Sequence, residues 1–203
     1  MKISVKAKVE GNKIIIDLSP SQLKKLTTQK NKVKLSSLIP GDEFLIGDEV
    51  FIVLEQKENA TSVIAKNFTD KIKFGENSDW KFSPIRSFLN HEFYYKIATI
   101  VGEKNIILME RDLTSLDGLD DYGTCTDRIS LLTAAEYAKY HKILGLKSNY
   151  PDWWWLITPT STPSNNYARS VCGVVSSGVL DWFGCDYTYG VRPFLTLNSA
   201  ITA

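Results

Sequence analysis

The sequence predicts an α+β fold in which β-strands occupy both ends of the main domain and two helices lie between them. Short apolar stretches bounded by Gly, Asn and Asp occur in residues 43–65 and again in residues 154–197, a pattern typical of strands joined by turns. Capping residues instead begin residues 83–94 and 133–144, as expected for helices. With 203 residues, of which 43% are hydrophobic and 23% charged, the chain can bury a sizeable core.

The N-terminal segment is predicted to form a β-hairpin followed by a short helix. Apolar residues alternate with polar ones in residues 3–9 and 14–18, and Gly11-Asn12 between them tolerates the positive φ of a two-residue turn. Ser19-Pro20 then begins a helix, because a capping serine followed by proline suits the first helical turn.

We therefore divide the chain into a basic hairpin-plus-helix extension, residues 1–34, and a main domain, residues 35–203. Residues 1–35 contain nine lysines against Glu10 and Asp17, although the whole chain has a net charge of only +1. Because these lysines alternate with apolar residues, they indicate a solvated face, and we expect no nucleic-acid partner. The extension is expected to cap the main domain or to contact a neighbouring subunit, since an isolated hairpin is marginally stable.

The main domain is predicted to begin with a three-stranded meander. Residues 43–46, 50–54 and 61–65 are strongly apolar, and Gly47-Asp48 provides a hairpin turn between the first two. The polar turn Lys57–Asn59 precedes the third strand.

Two helices and two strands are predicted in the middle of the chain. Ser83 caps the first helix, Pro84 occupies its first position, and one face carries four apolar residues: Ile85, Phe88, Leu89 and Phe93. Strands at 105–109 and 129–132 flank an Asp- and Gly-rich loop, residues 111–128. The capping box Thr133–Glu136 opens the second helix, and Gly145 is its expected C-terminal stop.

The last third of the main domain is predicted to contain four strands, at residues 154–157, 167–174, 178–182 and 191–197. Alternation along the first of them places Trp153 and Trp155 on one side and Trp154 on the other. At least one indole is therefore expected at a rim, where it can stack on a sugar ring, an aromatic ligand or a cation.

Several strings in this chain resemble one protein family. A Trp-Trp-Leu strand at 154–156, a Ser/Thr/Pro/Asn loop, Tyr-Ala-Arg at 167–169 and a closing Gly-Val-Arg-Pro at 190–193 look like the C-terminal signature of the uncharacterised bacterial and phage DUF6273 family. The string Ile-Arg-x-Phe-Leu-Asn-x-Glu-Phe at 85–93 and the hairpin at 43–54 also resemble it. That pattern is similar to the C-type-lectin-like fold of formylglycine-generating enzymes and of diversified binding proteins, so the resemblance implies this fold for residues 35–203.

The candidate binding surface is the loop and strand region 159–190. Tyrosine provides contact area at low entropic cost, and Ser, Gly and Asn provide adaptable hydrogen bonds, which is the composition of antibody-like binding surfaces. In the lectin-like diversified proteins the corresponding C-terminal segment contacts the ligand. The alternative interpretation is that these are ordinary turn and edge residues. The candidate ligand-binding residues are Trp153, Asn165, Asn166, Tyr167, Arg169, Asp186, Tyr187 and Tyr189.

The expected function is non-enzymatic recognition of a protein or glycan, in a phage or prophage particle or as a bacterial partner-binding protein. One alternative is a structural protein that forms homo-oligomers through residues 1–34. Another is an enzyme related to the formylglycine generators that uses Cys172 and Cys185 in a common groove. The strings around these cysteines differ from that family's active-site strings, so no catalytic residue is assigned. No phosphate-binding glycine loop is present, and no cofactor or metal is expected.

Three other features have structural interpretations. Arg192, held in an extended conformation by Pro193, is expected to make a buried ion pair or carbonyl contacts, and Arg86 is interpreted in the same way. The aspartates of the 111–128 loop could bind calcium, but a solvated loop is favoured. Since no apolar segment spans about 20 residues and lysines interrupt the N-terminus, neither a membrane span nor a signal peptide is expected, and the protein is predicted to be cytoplasmic or part of a virion.

Overall fold

The computed structural model describes the backbone of residues 6–10 and 13–17, and residues 33–144 and 152–202 with their side chains. Contacts divide the chain into two units, residues 1–32 and residues 33–203. In the first unit, strands β1 (Lys6–Glu10) and β2 (Lys13–Asp17) pair antiparallel in the predicted hairpin. The predicted helix at Ser19-Pro20 and the stop at Gly145 lie outside the described residues.

The second unit contains an antiparallel sheet in which the two ends of the unit meet. The predicted meander is confirmed, and its third strand pairs with the last strand of the chain, where Val63 lies opposite Leu195. Two short strands pair with the other edge of that last strand. The strands are β3 (Glu43–Ile46), β4 (Glu49–Lys57), β5 (Ala60–Ala65), β7 (Ile106–Ile107), β10 (Ile129–Ser130) and β15 (Phe194–Asn198).

A second, mixed sheet contains five strands: β6 (Asp70–Lys73), β11 (Trp154–Pro159), β12 (Ser170–Val174), β13 (Leu180–Gly184) and β14 (Thr188–Val191). Their order across the sheet is β13-β12-β11-β14-β6. Its only parallel pair joins β11 to β14, where Trp154 lies opposite Gly190. A separate hairpin pairs β8 (Met109–Asp112) with β9 (Thr124–Asp127).

Both predicted helices are present. The first is longer than expected, because α1 (Pro84–Phe88) continues through a π-helical segment (Leu89–Phe93) into α2 (Tyr94–Val101). The Ser83 hydroxyl accepts a hydrogen bond from the Ile85 N–H, as a capping residue should. The second helix is α3 (Ala134–Leu144), and its capping box is confirmed by the reciprocal Thr133 and Glu136 hydrogen bonds.

The structure corrects four details of the predicted strands. The expected loop 111–128 is a loop only in its middle, because its two ends form the β8-β9 hairpin. The predicted strand 105–109 is interrupted at the exposed Leu108. The predicted strand 191–197 is two strands, since the Arg192-Pro193 step ends β14 before β15 begins. Strand β6 was not predicted.

Two apolar clusters fill the second unit. The larger packs the first helix and the meander against one face of the mixed sheet, through Phe51, Leu89 and Trp155. The smaller packs α3 against the opposite face, where Tyr137 meets Trp154 at 5.5 Å between ring centroids. No helix in the described ranges combines the length and apolar character needed to cross a membrane.

Both arginines with a predicted structural role are held by polar contacts. Arg192 is fully buried; its Nε donates to the Ala65 carbonyl at 3.0 Å and its guanidinium lies 4.8 Å from the Trp154 ring centroid. Arg86 Nε donates to Asp127 Oδ1 at 2.7 Å, and the other oxygen of this carboxylate accepts from the Trp80 indole N–H at 2.7 Å. Asp127 therefore joins the first helix to the buried Trp80.

Removal of this carboxylate should destabilise the fold. We expect Asp127→Ala to lower the free energy of unfolding by about 3 kcal/mol, because Trp80 loses its buried acceptor and Arg86 loses its counter-ion. The matched control is Glu43→Ala, which breaks the Lys66–Glu43 pair, whose two side chains are each 45% exposed, and should change stability by less than about 1 kcal/mol. Urea denaturation measures both values, and equal effects would show that the Asp127 network contributes no more than an exposed pair.

Candidate ligand-binding site

The three consecutive tryptophans lie in three different environments. Trp154 and Trp155 are fully buried on opposite faces of the mixed sheet, whereas Trp153, just before β11, is 37% exposed. Trp153 and Trp155 both contact Phe183 and Tyr189, so they share one side, as the alternation predicted. Trp153 is therefore the indole at the rim.

A continuous series of aromatic rings leads from the core to this rim. Trp80 contacts Phe74 at a centroid distance of 6.0 Å, and Phe74 contacts Trp155 edge-on at 5.5 Å. Trp155 in turn contacts Phe183, the last buried ring of the series. We call these four rings the aromatic column: Trp80, Phe74, Trp155 and Phe183.

Three further rings, which are more exposed than the column, lie at its outer end. We call them the aromatic platform: Trp153, Tyr187 and Tyr189. Trp153 stacks on Phe183 with centroids 4.7 Å apart and planes 19° apart. Tyr189 is half-buried, 5.0 Å from Trp155, and Tyr187 lies parallel to it at 6.0 Å with 58% of its surface exposed. The platform is thus supported from below by rings that solvent does not reach.

Two glycines allow the rings to lie this close to the strands. A Cβ on Gly173 would lie 2.5 Å from the Phe183 ring and 2.8 Å from the Trp154 carbonyl. A Cβ on Gly184 would lie 3.2 Å from the Tyr187 ring. The small residues of this region therefore act as spacers for the column, a role that their turn-like composition did not indicate.

Charged side chains lie at the edge of the mixed sheet near the platform. Lys71 Nζ lies 2.6 Å from Asp152 Oδ2, and this hydrogen bond lowers the pKa of the Asp152 carboxyl. The pKa of Tyr189 is raised, mainly by burial and further by the nearby Tyr187, Asp152 and Asp186. The pKa of Lys73 is raised mainly by its hydrogen bond to Glu76, with a smaller effect of Asp186. Asp152 and Asp186 therefore lie near Tyr189, whereas Lys71, opposite Gly190 in the ladder, belongs to the face of Trp154 and not to the face of the platform.

The remaining predicted site residues form a separate loop group. Asn165 and Asn166 end a short 3-10 turn, and Tyr167 is 46% exposed, with its hydroxyl 2.8 Å from Ser170 Oγ. Arg169 is exposed next to them. Among the described residues, no side-chain hydrogen bond or ring contact joins this loop group to the platform. Of the predicted set, the structure thus brings together Trp153, Asp186, Tyr187 and Tyr189.

The family comparison agrees with the strings in the sequence. The sequence model of a family described as a domain of unknown function, DUF6273, matches residues 58–199, well over half of the chain. The protein belongs to the DUF6273 family. The match includes the helix string at 85–93 and the closing string at 190–193 but begins after the hairpin at 43–54. No curated protein and no solved structure is significantly similar to the chain.

The structure of this DUF6273 protein does not bring the two candidate cysteines together. Cys172 belongs to the cluster packed by α3, and Cys185 belongs to the cluster on the other face. The Cys185 N–H donates a hydrogen bond to the Arg169 carbonyl. Because Arg169 lies three residues from Cys172 along the chain, the two cysteines are about 10 Å apart. Burial raises the pKa of each thiol to about 12, so both stay protonated near neutral pH. The common groove required by the enzyme alternative is therefore absent.

The aspartates of the 113–123 loop of the DUF6273 domain hold the loop group in place. Asp121 accepts hydrogen bonds from the Ser164 N–H and hydroxyl, both at 2.8 Å, and Asp117 accepts one from Asn165 at 3.3 Å. The hydrogen bonds from Ser164 lower the pKa of the Asp121 carboxyl. Within the described residues, no group of three or more His, Cys, Asp or Glu side chains could hold a metal ion.

Loss of the Asp121 carboxylate should loosen the loop group. In Asp121→Ala the Ser164 N–H has no acceptor, so its protection from hydrogen exchange should fall, whereas Asp120→Ala, an exposed neighbour, should leave it unchanged. Because the pKa of Asp121 is lowered from 3.8, its contribution is complete above pH 3.8 and is lost as the pH falls through the folded-state pKa. Protection that survives in Asp121→Ala would contradict this anchoring role.

Proposed function

We propose that this DUF6273 protein is a non-enzymatic recognition module that binds a carbohydrate on the aromatic platform. The observation that carries the proposal is the set of three rings, the exposed Trp153 and Tyr187 and the half-buried Tyr189, fixed on a buried aromatic column with the carboxylates of Asp152 and Asp186 nearby. A sugar ring has an apolar C–H face and a hydroxyl-bearing edge. The platform offers a partner for each, since aromatic faces contact the C–H groups while the rim bonds the hydroxyls.

Rigidity supports this assignment. Binding loses free energy when side chains must be ordered, by about 0.5–1.5 kcal/mol for each flexible side chain. Trp153 and Tyr189 already contact Phe183, which is buried, so binding restricts these two side chains little further. A pre-formed aromatic surface can therefore contribute most of its contact energy to affinity.

The proposed fold of residues 35–203 is C-type-lectin-like. Two features support it: the first and last parts of the unit pair in one sheet through β5 and β15, and long polar connections follow β11. In that fold the C-terminal loops meet the ligand, which corresponds to the region between β11 and β14. A bacterial or phage origin, with residence in the cytoplasm or in a virion, belongs to the same proposal.

Substitutions on the platform test the proposal. In a glycan array followed by titration calorimetry, Tyr187→Ala should weaken binding about five- to thirtyfold, because stacking contributes roughly 1–2 kcal/mol per exposed ring. Trp153→Ala should act in the same direction.

The matched control is Trp182→Ala, since Trp182 is 63% exposed but lies opposite Cys172, on the other face of the sheet. Its removal should leave carbohydrate affinity unchanged. If the protein binds a protein partner but no glycan, or if Trp182→Ala abolishes binding while Tyr187→Ala does not, the carbohydrate platform is refuted.

Assembly through the N-terminal extension is a second proposal, because β1 and β2 form a sheet of their own and two strands alone are marginal. Deletion of residues 1–32, the first contact unit, should then convert an oligomer into a monomer. Light scattering coupled to gel filtration measures the change. An identical mass before and after deletion would refute assembly by this segment.

A further inference from the structure

A small cavity adjoins the platform at the end of β6. Its volume is about 190 Å³, below the roughly 300 Å³ of pockets that enclose a drug-sized ligand, so it fits one small group of a larger molecule. Besides Gly75, the lining residues are Lys73, Glu76, Asn77, Asp79, Phe82 and Pro84.

The backbone connects the cavity directly to the platform. Lys73 lies opposite Thr188 in the β6-β14 ladder, so Phe74 lies beside Tyr187 one step further along. The Gly75 N–H then donates to the Cys185 carbonyl at 3.1 Å. Because paired residues in such ladders are about 5 Å apart, the cavity begins within one residue of the platform.

A nearly buried carboxylate lines this cavity. Asp79 is 9% exposed, and its Oδ1 accepts a hydrogen bond from the Lys81 N–H at 3.0 Å. Its Oδ2 has no hydrogen-bond partner in the described part of the chain. This oxygen keeps some contact with solvent, so it is open to the cavity and a ligand N–H or O–H can donate to it. The same charge would repel an anionic group such as a carboxylate or phosphate.

The other walls select the shape of the bound group. Phe82 is 81% exposed although it is a large apolar residue, and with Pro84 it forms an apolar wall. Asn77 uses its Oδ1 for the Asp79 N–H and has no acceptor for its Nδ2 among the described residues. An amide N–H, a carbonyl oxygen and a methyl group would thus find an acceptor, a donor and an apolar surface.

We propose that this cavity is a second subsite that takes the acetamido group of an N-acetylhexosamine, while an adjacent sugar unit of the same chain stacks on the platform. The inference rests on the proposed carbohydrate function and adds its specificity. The acetamido N–H donates to Asp79 Oδ2, its carbonyl oxygen accepts from Asn77, and its methyl group packs on Phe82. A neutral hexose carries a hydroxyl at this position and lacks the carbonyl and the methyl group.

Two trisaccharides that differ only in this group test the subsite on the full chain. Calorimetry should give chitotriose, a trimer of N-acetylglucosamine, about tenfold higher affinity than cellotriose, its glucose counterpart, because the glucose hydroxyl can also donate to Asp79 but gains neither the hydrogen bond from Asn77 nor the methyl contact with Phe82. Asp79→Asn retains a capping oxygen for Lys81 but turns an amide N–H₂ toward the ligand, so the preference should be lost with little change in cellotriose affinity. Phe82→Ala, at an exposed position, should reduce chitotriose affinity in the same direction.

The outcomes separate the subsite from the function on which it rests. Equal affinity of the native protein for the two trisaccharides, or an undiminished preference in Asp79→Asn, overturns the subsite and leaves the platform intact. Failure of both trisaccharides to bind overturns the carbohydrate function together with the subsite. A thermal melt of each variant that matches the native protein confirms that the fold is retained.

Discussion

The edge-on contact between Phe74 and Trp155 is the interaction on which the rest of the site depends. Phe74 follows the edge strand β6, and Trp155 lies in the middle of the mixed sheet, so this contact closes the sheet over the core. Through Trp80 it extends to Asp127 and hence to the first helix. Helix, core and sheet are therefore connected by one series of rings whose outer members reach solvent.

This arrangement explains how exposed aromatic residues can be both ordered and available. Exposed aromatic side chains in a loop would collapse on one another or onto the surface, whereas Trp153 and Tyr189 are held by Phe183 and Trp155 on their inner sides. Their outer faces stay open to a ligand, and the carboxylates of Asp152 and Asp186 lie near Tyr189. Contact area and orientation thus come from different residues.

Local rules predicted the elements whose signals are local. Ser83 and Thr133 begin helices because their side chains cap backbone groups within three residues. Trp154 lies on the face opposite Trp153 and Trp155 because side chains alternate along a strand. Strand β6 was missed because Ile72 is its only apolar residue, and because its partners in β14 are 115 to 121 residues away in sequence. Lys71, Lys73 and Asp79 were therefore missed as well. That Trp153, and not Trp155, reaches the rim depends on Phe74 and Phe183, which no local pattern brings there.

Fluorine NMR of protein labelled with 5-fluorotryptophan tests the central claim most directly, since the chain has five tryptophans and single Trp→Phe variants assign their signals. If the column fixes the platform, Trp153 gives one sharp signal in the free protein, and this signal shifts when chitotriose is added while that of Trp182 stays in place. A Trp153 signal that is broadened or split without ligand, or a ligand-induced shift at Trp182 and not at Trp153, would contradict the account.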